Sequence, residues 1–216
     1  MKIGIIGTGV VGSAIGTRLV QAGHEVMMGS RTTNNEKAVQ WVKTAGGNAL
    51  QGTFAEAAAF GEIIFNCTKG EISLEALKLA GEKNLKGKVL VDVANPLDFS
   101  KGMPPILTPS LCNTNSLGEE IQKAFPDTHV VKALNTMNCN LMVNPKLVSG
   151  SHDVIICGNE ISAKAKVANI LQEFGWADVI DLGDITSARA TEMLLPIWVR
   201  LMMKYQSPNF NFKIVK

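Results

Sequence analysis

Lys2-Ile3-Gly4-Ile5-Ile6-Gly7-Thr8-Gly9-Val10-Val11-Gly12-Ser13-Ala14-Ile15-Gly16 opens the chain as a short apolar run that enters three spaced glycines. The run has the length and the isoleucine content of a buried strand. Gly7, Gly9 and Gly12 stand in the G-x-G-x-x-G spacing. Gly7 permits a tight strand-to-helix turn, Gly9 lets a diphosphate approach the backbone, and Gly12 lets the helix pack close to the strand. The helix expected over Val11 to Gln21 offers unpaired N–H groups and the positive end of its dipole at this turn. Glycine turns also occur without a ligand. The strand before, the helix after and a second strand beginning past Gly23 are the context that marks a dinucleotide site.

His24 to Gly29 reads as that second strand, and it delivers the chain to Ser30-Arg31-Thr32-Thr33-Asn34. A fold specific for NAD places Asp or Glu here, roughly 20 residues past the glycine turn, to accept hydrogen bonds from the ribose. Ser30 and Arg31 stand there instead. A carboxylate would repel a 2′-phosphate, whereas a guanidinium binds it bidentately and a serine hydroxyl donates to it. Thr32, Thr33 and Asn34 add small donors, and Lys37 can reach in from the next helix. The competing reading makes Arg31 a solvated loop charge. The expectation is NADP(H) over NAD(H).

With 216 residues the chain can bury a full core, and residues 1–216 are expected to form a single NADP-binding domain. A net charge of +2 argues against a nucleic-acid surface. Cys67, Cys112, Cys139 and Cys157 show no C-x-x-C spacing and no histidine partner pattern, so neither a metal site nor a disulfide framework is expected. Free thiols fit a cytoplasmic protein. No signal peptide is expected, because the N-terminal apolar run is short and belongs to the glycine turn. Met193 to Met203 is too short for a membrane span and holds Pro196 and Arg200, which predicts a core or interface helix and no membrane partner.

Helices are expected at Glu36–Thr44, Phe54–Phe60, Leu74–Glu82, Ser116–Phe125, Ile161–Phe174 and Ser187–Tyr205, the last interrupted at Pro196. Strands are expected near Ala49–Gln51 and at Glu62–Thr68, Lys88–Val93, His129–Asn135, Asp153–Cys157 and Val179–Leu182. Several of these strands are apolar throughout, as strands covered on both faces are. The alternation predicts an α/β fold with a doubly wound, Rossmann-type parallel sheet, followed by a C-terminal helix and tail. Pro96, Pro104, Pro105 and Pro109 forbid regular structure over much of Asn95–Asn115, and a loop of that length is usually functional or mobile. Ser116 with Glu119 predicts a capping box. The alternating tail from Pro208 to Ile214 suggests an edge strand or an arm on a partner subunit.

Ligands in such sheets sit outside the carboxyl ends of the strands. Four ends converge there: Gly7-Thr8-Gly9, Cys67-Thr68-Lys69-Gly70, Asp92 to Leu97, and Asn135-Thr136-Met137-Asn138-Cys139. Asn95 precedes Pro96 and is biased to an extended shape, so the Ala94-Asn95-Pro96-Leu97 turn can present backbone groups to a nicotinamide amide or be a plain strand exit. Lys69 is either a phosphate contact or a solvated charge. Asn135 and Thr136 beside Met137 can hold the polar edge of a flat ring or simply cap the strand. His24, His129 and His152 read as structural, and no Ser/His/Asp set or paired carboxylates stands out, so no catalytic acid, base or nucleophile is assigned. Cys139 lacks a neighbouring base and is not expected to be reactive. Hydride transfer between two rings needs positioning and exclusion of water rather than such a group.

Together these stretches resemble the NADPH-dependent deazaflavin reductases, the coenzyme F-420:NADP oxidoreductase family, and also the cytosolic domains of the six-transmembrane metalloreductases. The resemblance covers nearly the whole chain. It rests on Ile6 to Gly12, Gly29-Ser30-Arg31, Asp92 to Pro96, Val131 to Thr136, Val154 to Gly158, and Asp181-Leu182-Gly183 with Ser187-Ala188-Arg189. It implies that Thr8, Gly9, Val10 and Val11 cradle the pyrophosphate and that Ser30 and Arg31 take the 2′-phosphate. It implies further that Thr68, the Ala94–Leu97 turn and the Ala133–Met137 strand end surround the nicotinamide. A homodimer with a flavin or deazaflavin ring stacked on the nicotinamide is the implied arrangement. The family often carries a lysine a few residues after the arginine; here Thr33 to Asn35 occupy that place and Lys37 comes later.

Three functions fit these features. The leading one is a cytoplasmic oxidoreductase moving hydride between NADP(H) and a flavin or deazaflavin co-substrate. A reductase of small imines or hydroxy acids shares the N-terminal signature but usually adds a helical substrate domain. A non-catalytic NADP(H)-binding redox sensor would bind tightly and show no turnover.

Overall fold

Apolar strands that alternate with amphipathic helices have one economical arrangement, a sheet with helices on both faces. The computed structural model, which describes residues 1–216, has that arrangement. In chain order the first half runs β1 (Lys2–Ile6), α1 (Val10–Gln21), β2 (Glu25–Ser30), α2 (Glu36–Ala45), β3 (Ala49–Thr53), α3 (Phe54–Phe60) and β4 (Ile63–Asn66). Then follow α4 (Ser73–Ala80), α5 (Glu82–Leu85), β5 (Val89–Asp92) and a small hairpin of β6 (Leu97–Asp98) and β7 (Ile106–Leu107). The last part is α6 (Leu117–Ala124), β8 (His129–Ala133), α7 (Cys139–Val143), β9 (Asp153–Gly158), α8 (Ile161–Phe174), β10 (Asp178–Asp181), α9 (Ala188–Met193) and α10 (Leu195–Tyr205).

The sheet order is β3-β2-β1-β4-β5-β8-β9-β10. The six strands from β3 to β8 are parallel and follow the doubly wound order, with the switch between β1 and β4. The sheet is not parallel throughout. β9 pairs antiparallel to β8, and β10 runs parallel to β9. The connection through α7, residues 134–152, returns the chain antiparallel beside β8.

Strand alternation divides the core. Ile3, Ile5, Ile63, Phe65, Val89, Val91 and Val131 face α1, α2, α7 and α8 in one cluster of 29 buried residues. Ile6, Ile64, Leu90 and Val130 face α3, α4, α5, α6 and α9 in a second cluster of 18. Both faces are covered, which is why these strands read as continuous apolar runs.

Residues 95–115 are irregular over much of their length, as expected, with only the short strands β6 and β7 pairing across them. The helix expected over Ser187–Tyr205 is interrupted beside Pro196, which lies in the first turn of α10, where its missing N–H is no loss. Two expectations are corrected. Ser116 caps α6 by accepting from the Glu119 N–H, but the Glu119 carboxylate, which also pairs with Arg189, accepts from the Ser116 hydroxyl rather than from its N–H, so the full box is not formed. The tail forms neither an edge strand nor an outward arm. Its Phe212 carbonyl accepts from the Asp153 N–H, Asn211 donates to the Asp153 carbonyl, and Phe210 stacks on Trp198, so it folds back over its own chain.

Candidate functional site

The glycine turn differs at each of its three positions. Gly7 has φ +121°, a conformation that side-chain-bearing residues avoid. A Cβ at Gly12 would sit 2.3 Å from the Gly7 carbonyl oxygen, so α1 can lie against β1 only if that atom is missing. Gly9 faces open space, with nothing within 4 Å of an added Cβ. As N-cap of α1 it supplies no side-chain acceptor, and no acidic residue stands in the first turn. Unpaired amides at the positive end of a helix of 12 residues therefore point at a vacant approach, which suits a diphosphate.

At the end of β2, Arg31 is exposed and makes no ion pair or hydrogen bond with the protein. Ser30 is buried, and its hydroxyl donates to the Thr32 carbonyl while accepting from the Thr32 N–H. The serine thus shapes the turn that presents Arg31, and its hydroxyl is engaged within that turn. Asn34 is in the left-handed region and its N–H donates to Gln51 on β3. Lys37 lines a groove between α1 and α2.

A pocket of about 380 Å³ opens over the carboxyl ends of β4, β5 and β8. Val10 and Val11 form its wall next to the glycine turn; Thr68, Lys69, Ala94, Asn95, Leu97, Asn135 and Met137 line it as the sequence suggested. Pro96 and Thr136 are buried beneath the lining. Asn95 and Asn135 exchange side-chain hydrogen bonds that tie the two strand ends together: Asn95 Nδ2 donates to the Asn135 carbonyl at 2.8 Å and Asn135 Nδ2 to Asn95 Oδ1 at 2.9 Å. Between β8 and Asn135, buried Leu134 holds φ +63°, a conformation costing about 1–3 kcal/mol for a branched side chain. Cys139 sits at the rim, where burial raises its thiol pKa, and this disfavours a thiolate.

The sequence did not point to the roof or the floor. Leu195 and Trp198 of α10 close the pocket from above, and Phe99 of the hairpin loop closes one side. Below, Thr68 Oγ1 donates to Asn66 Oδ1 at 2.7 Å, and Asn66 Nδ2 donates to Asp92 Oδ1 at 2.8 Å. Asp92 Oδ2 accepts from Lys132 Nζ at 2.7 Å, and Glu192 of α9 pairs with the same ammonium. Burial pulls the Lys132 pKa down, but Asp92 and Glu192 outweigh it and hold the pKa above the ordinary lysine value. The signal was present in the sequence as a polar residue in the last turns of otherwise apolar strands: Asn66, Asp92 and Lys132. Glu192 and Trp198 carry no comparable mark.

A larger groove of about 1140 Å³ runs along α1 between α2 and α7, sharing only Thr8, Gly9 and Val10 with the site. Most of it lies along helix flanks. The strand-end pocket is the one at the position where doubly wound sheets bind ligands.

These features define a Rossmann-type, dinucleotide-binding class of fold with a pocket beside the glycine turn. The family model described as "NADP oxidoreductase coenzyme F420-dependent" matches residues 2–96. A crystal structure of a candidate F420-dependent NADP reductase from Arthrobacter sp. FB24 superposes with a TM-score of 0.95 at 49% identity, covering 100% of both chains. The F420-dependent NADP reductase of Methanocaldococcus jannaschii is 27% identical over 99% of this chain and 98% of its own. Metalloreductase STEAP3 of Rattus norvegicus is 34% identical over 91% of this chain, which spans only 38% of that protein's length. A reductive aminase from Aspergillus terreus, at 20% identity and a TM-score of 0.66, shares the fold. The chain belongs to the coenzyme F420-dependent NADP oxidoreductase family. No helix is long and apolar enough to cross a membrane.

Proposed function

We propose that the protein transfers hydride between NADP(H) and a planar flavin- or deazaflavin-type ring, of which coenzyme F420 is the leading candidate. The observation that carries this reading is the strand-end pocket, continuous through Val10 and Val11 with the uncapped start of α1. The bound dinucleotide supplies the hydride chemistry, two electrons and a proton passing from one ring to the other. The chain's own residues bind, orient and keep water out. Thr8, Gly9, Val10 and Val11 hold the diphosphate through backbone amides, and Arg31 takes the 2′-phosphate. Ser30 acts by setting the turn.

Ala94, Asn95 and Leu97, together with Asn135 and Met137, flank the nicotinamide, with Thr68 and Lys69 at its edge. Leu195 and Trp198 provide an apolar cover for the second ring. No histidine lines the pocket, which fits a reaction governed by positioning. Residues 1–216 act as one unit, with residues 187–216 as roof and tail. Four free cysteines support a reducing, cytoplasmic setting. Ile197 and Tyr205, 52% and 58% exposed on α10, support a homodimer, which light scattering of the purified protein checks.

Steady-state NADPH oxidation against deazaflavin, flavin, quinone and imine acceptors tests the reading. Turnover with a deazaflavin or flavin, at least about tenfold above the imine, is the expected result. Binding of NADPH without turnover on any acceptor would leave a sensor instead.

A further inference from the structure

Asn66, Asp92 and Lys132 are register neighbours on β4, β5 and β8. Alternation therefore sends all three side chains to the same face, and Glu192 descends onto that row from α9. Lys132 Nζ lies 2.7 Å from Asp92 Oδ2, 2.7 Å from Glu192 Oε1 and 2.5 Å from the Ala94 carbonyl oxygen. An ammonium has three hydrogens, and these acceptors take all of them.

The carboxylates meet only donors. Asp92 Oδ1 accepts from Asn66 Nδ2 and from the Ala94 N–H, and the Glu192 oxygens accept from the N–H groups of Leu117 and Gly118 at the start of α6. A protonated carboxyl would need an acceptor, and neither group faces one. The hydrogen-bond inventory holds two carboxylates and one ammonium, a net charge of −1, with side-chain exposures of 0% to 1%. The dipole of α6 offsets about half a charge.

Little else nearby balances it. The Cys157 thiol, pushed up to about 12 chiefly by burial, is neutral. Lys164 and Asp181 pair with each other at 2.8 Å, and Lys69 and Glu71 stand opposite each other at 3.9 Å on the exposed rim. Ala94 joins the cluster to the pocket: its N–H is held by Asp92, its carbonyl by Lys132, and the residue itself lines the cavity.

We propose that the excess buried negative charge of the Asp92–Lys132–Glu192 cluster sets the redox preference of the site, favouring the oxidised, cationic nicotinamide over the neutral reduced ring. The inference rests on the strand-end pocket being the nicotinamide site. None of the three side chains lines the pocket, so they act as positioning and charge-setting residues through Ala94. One buried unit charge acting across a single residue, at an effective dielectric of ~20, changes the relative affinity of the two forms on the order of tenfold.

Calorimetric Kd values for NADP+ and NADPH, measured on the wild type, Glu192→Gln and Asp92→Asn, test this. Each variant removes one negative charge from a different element. The ratio Kd(NADP+)/Kd(NADPH) is expected to rise about tenfold in both, whereas a purely structural role weakens both ligands together and leaves the ratio alone. Should the variants not fold, the wild-type ratio itself is the readout, expected at about 0.1, with NADP+ bound tighter than NADPH on the order of tenfold. A ratio unchanged within about twofold in the folded variants, against the tenfold expected, or a wild-type ratio at or above about one where they do not fold, overturns the inference. Failure of the wild type to bind either ligand overturns the pocket assignment instead.

Discussion

The two ends of the proposed dinucleotide site are built in opposite ways. The diphosphate end is made of missing side chains within six consecutive residues, Gly7 to Gly12, and it stands open. The ring end is made of side chains drawn from β4, β5, β8, α9 and α10, and its floor is buried and fully hydrogen-bonded. One end depends on sterics and local backbone shape. The other depends on charge balance across elements that meet only when the whole chain has folded. Damage to the first should therefore act through the contact of β1 with α1 alone, whereas damage to the second should reach every element that meets at the cluster.

The largest effect is expected at the ring end. Lys132→Met leaves two buried carboxylates without their cation and should cost about 3–5 kcal/mol of stability, measured by urea unfolding. A loss under about 1 kcal/mol would mean that the cluster does not brace the fold. At the diphosphate end, Gly12→Ala should push α1 off β1 and lower stability and NADPH affinity together, the affinity about a hundredfold. Gly9→Ala is its partner measurement. With nothing within 4 Å of its Cβ, stability should fall by less than about 1 kcal/mol, the scale of a changed N-cap, while NADPH binding drops. Equal stability losses in the two alanine variants would erase the distinction between close packing and ligand approach.

Arg31→Asp comes next in size. Arg31 has no protein partner, so unfolding should be unchanged, while loss of a charge-assisted phosphate contact should weaken NADPH by about 1.5–3 kcal/mol and make NADH competitive. The smallest effect concerns Glu119, whose hydrogen bond from Arg189 holds its carboxyl below its ordinary value of 4.5. A depressed folded pKa contributes stability above the unfolded value, and that contribution is lost as the pH falls through the folded value. Glu119→Gln should therefore be less stable than the wild type at neutral pH, with the gap closing as the pH falls below 4.5 and through the depressed folded value.

The contrast also explains what could be read from the sequence. β1, the glycine turn and α1 are contiguous, so their spacing carries their chemistry. The six-strand parallel order followed from apolar strands alternating with helices. The reversal at β9 did not, because Asp153–Gly158 is as apolar as the parallel strands and direction leaves no mark on composition. Ser116 and Glu119 matched a capping box locally, yet the carboxylate, shared with Arg189 70 residues away in sequence, meets the Ser116 hydroxyl rather than its N–H. Asn66, Asp92 and Lys132 were visible one at a time as polar residues in apolar strands. Their meeting required the register, and Glu192 and Trp198 required the packing of the last two helices.

The central claim is that glycine-lined amides and Arg31 together select a dinucleotide bearing a 2′-phosphate. Calorimetric titration of the wild-type protein with NADPH and with NADH tests it most directly. The account predicts saturable heat with NADPH at an affinity at least about tenfold above that for NADH, a gap of the size one charge-assisted contact supplies. No heat with NADPH, or tighter binding of NADH, would contradict it.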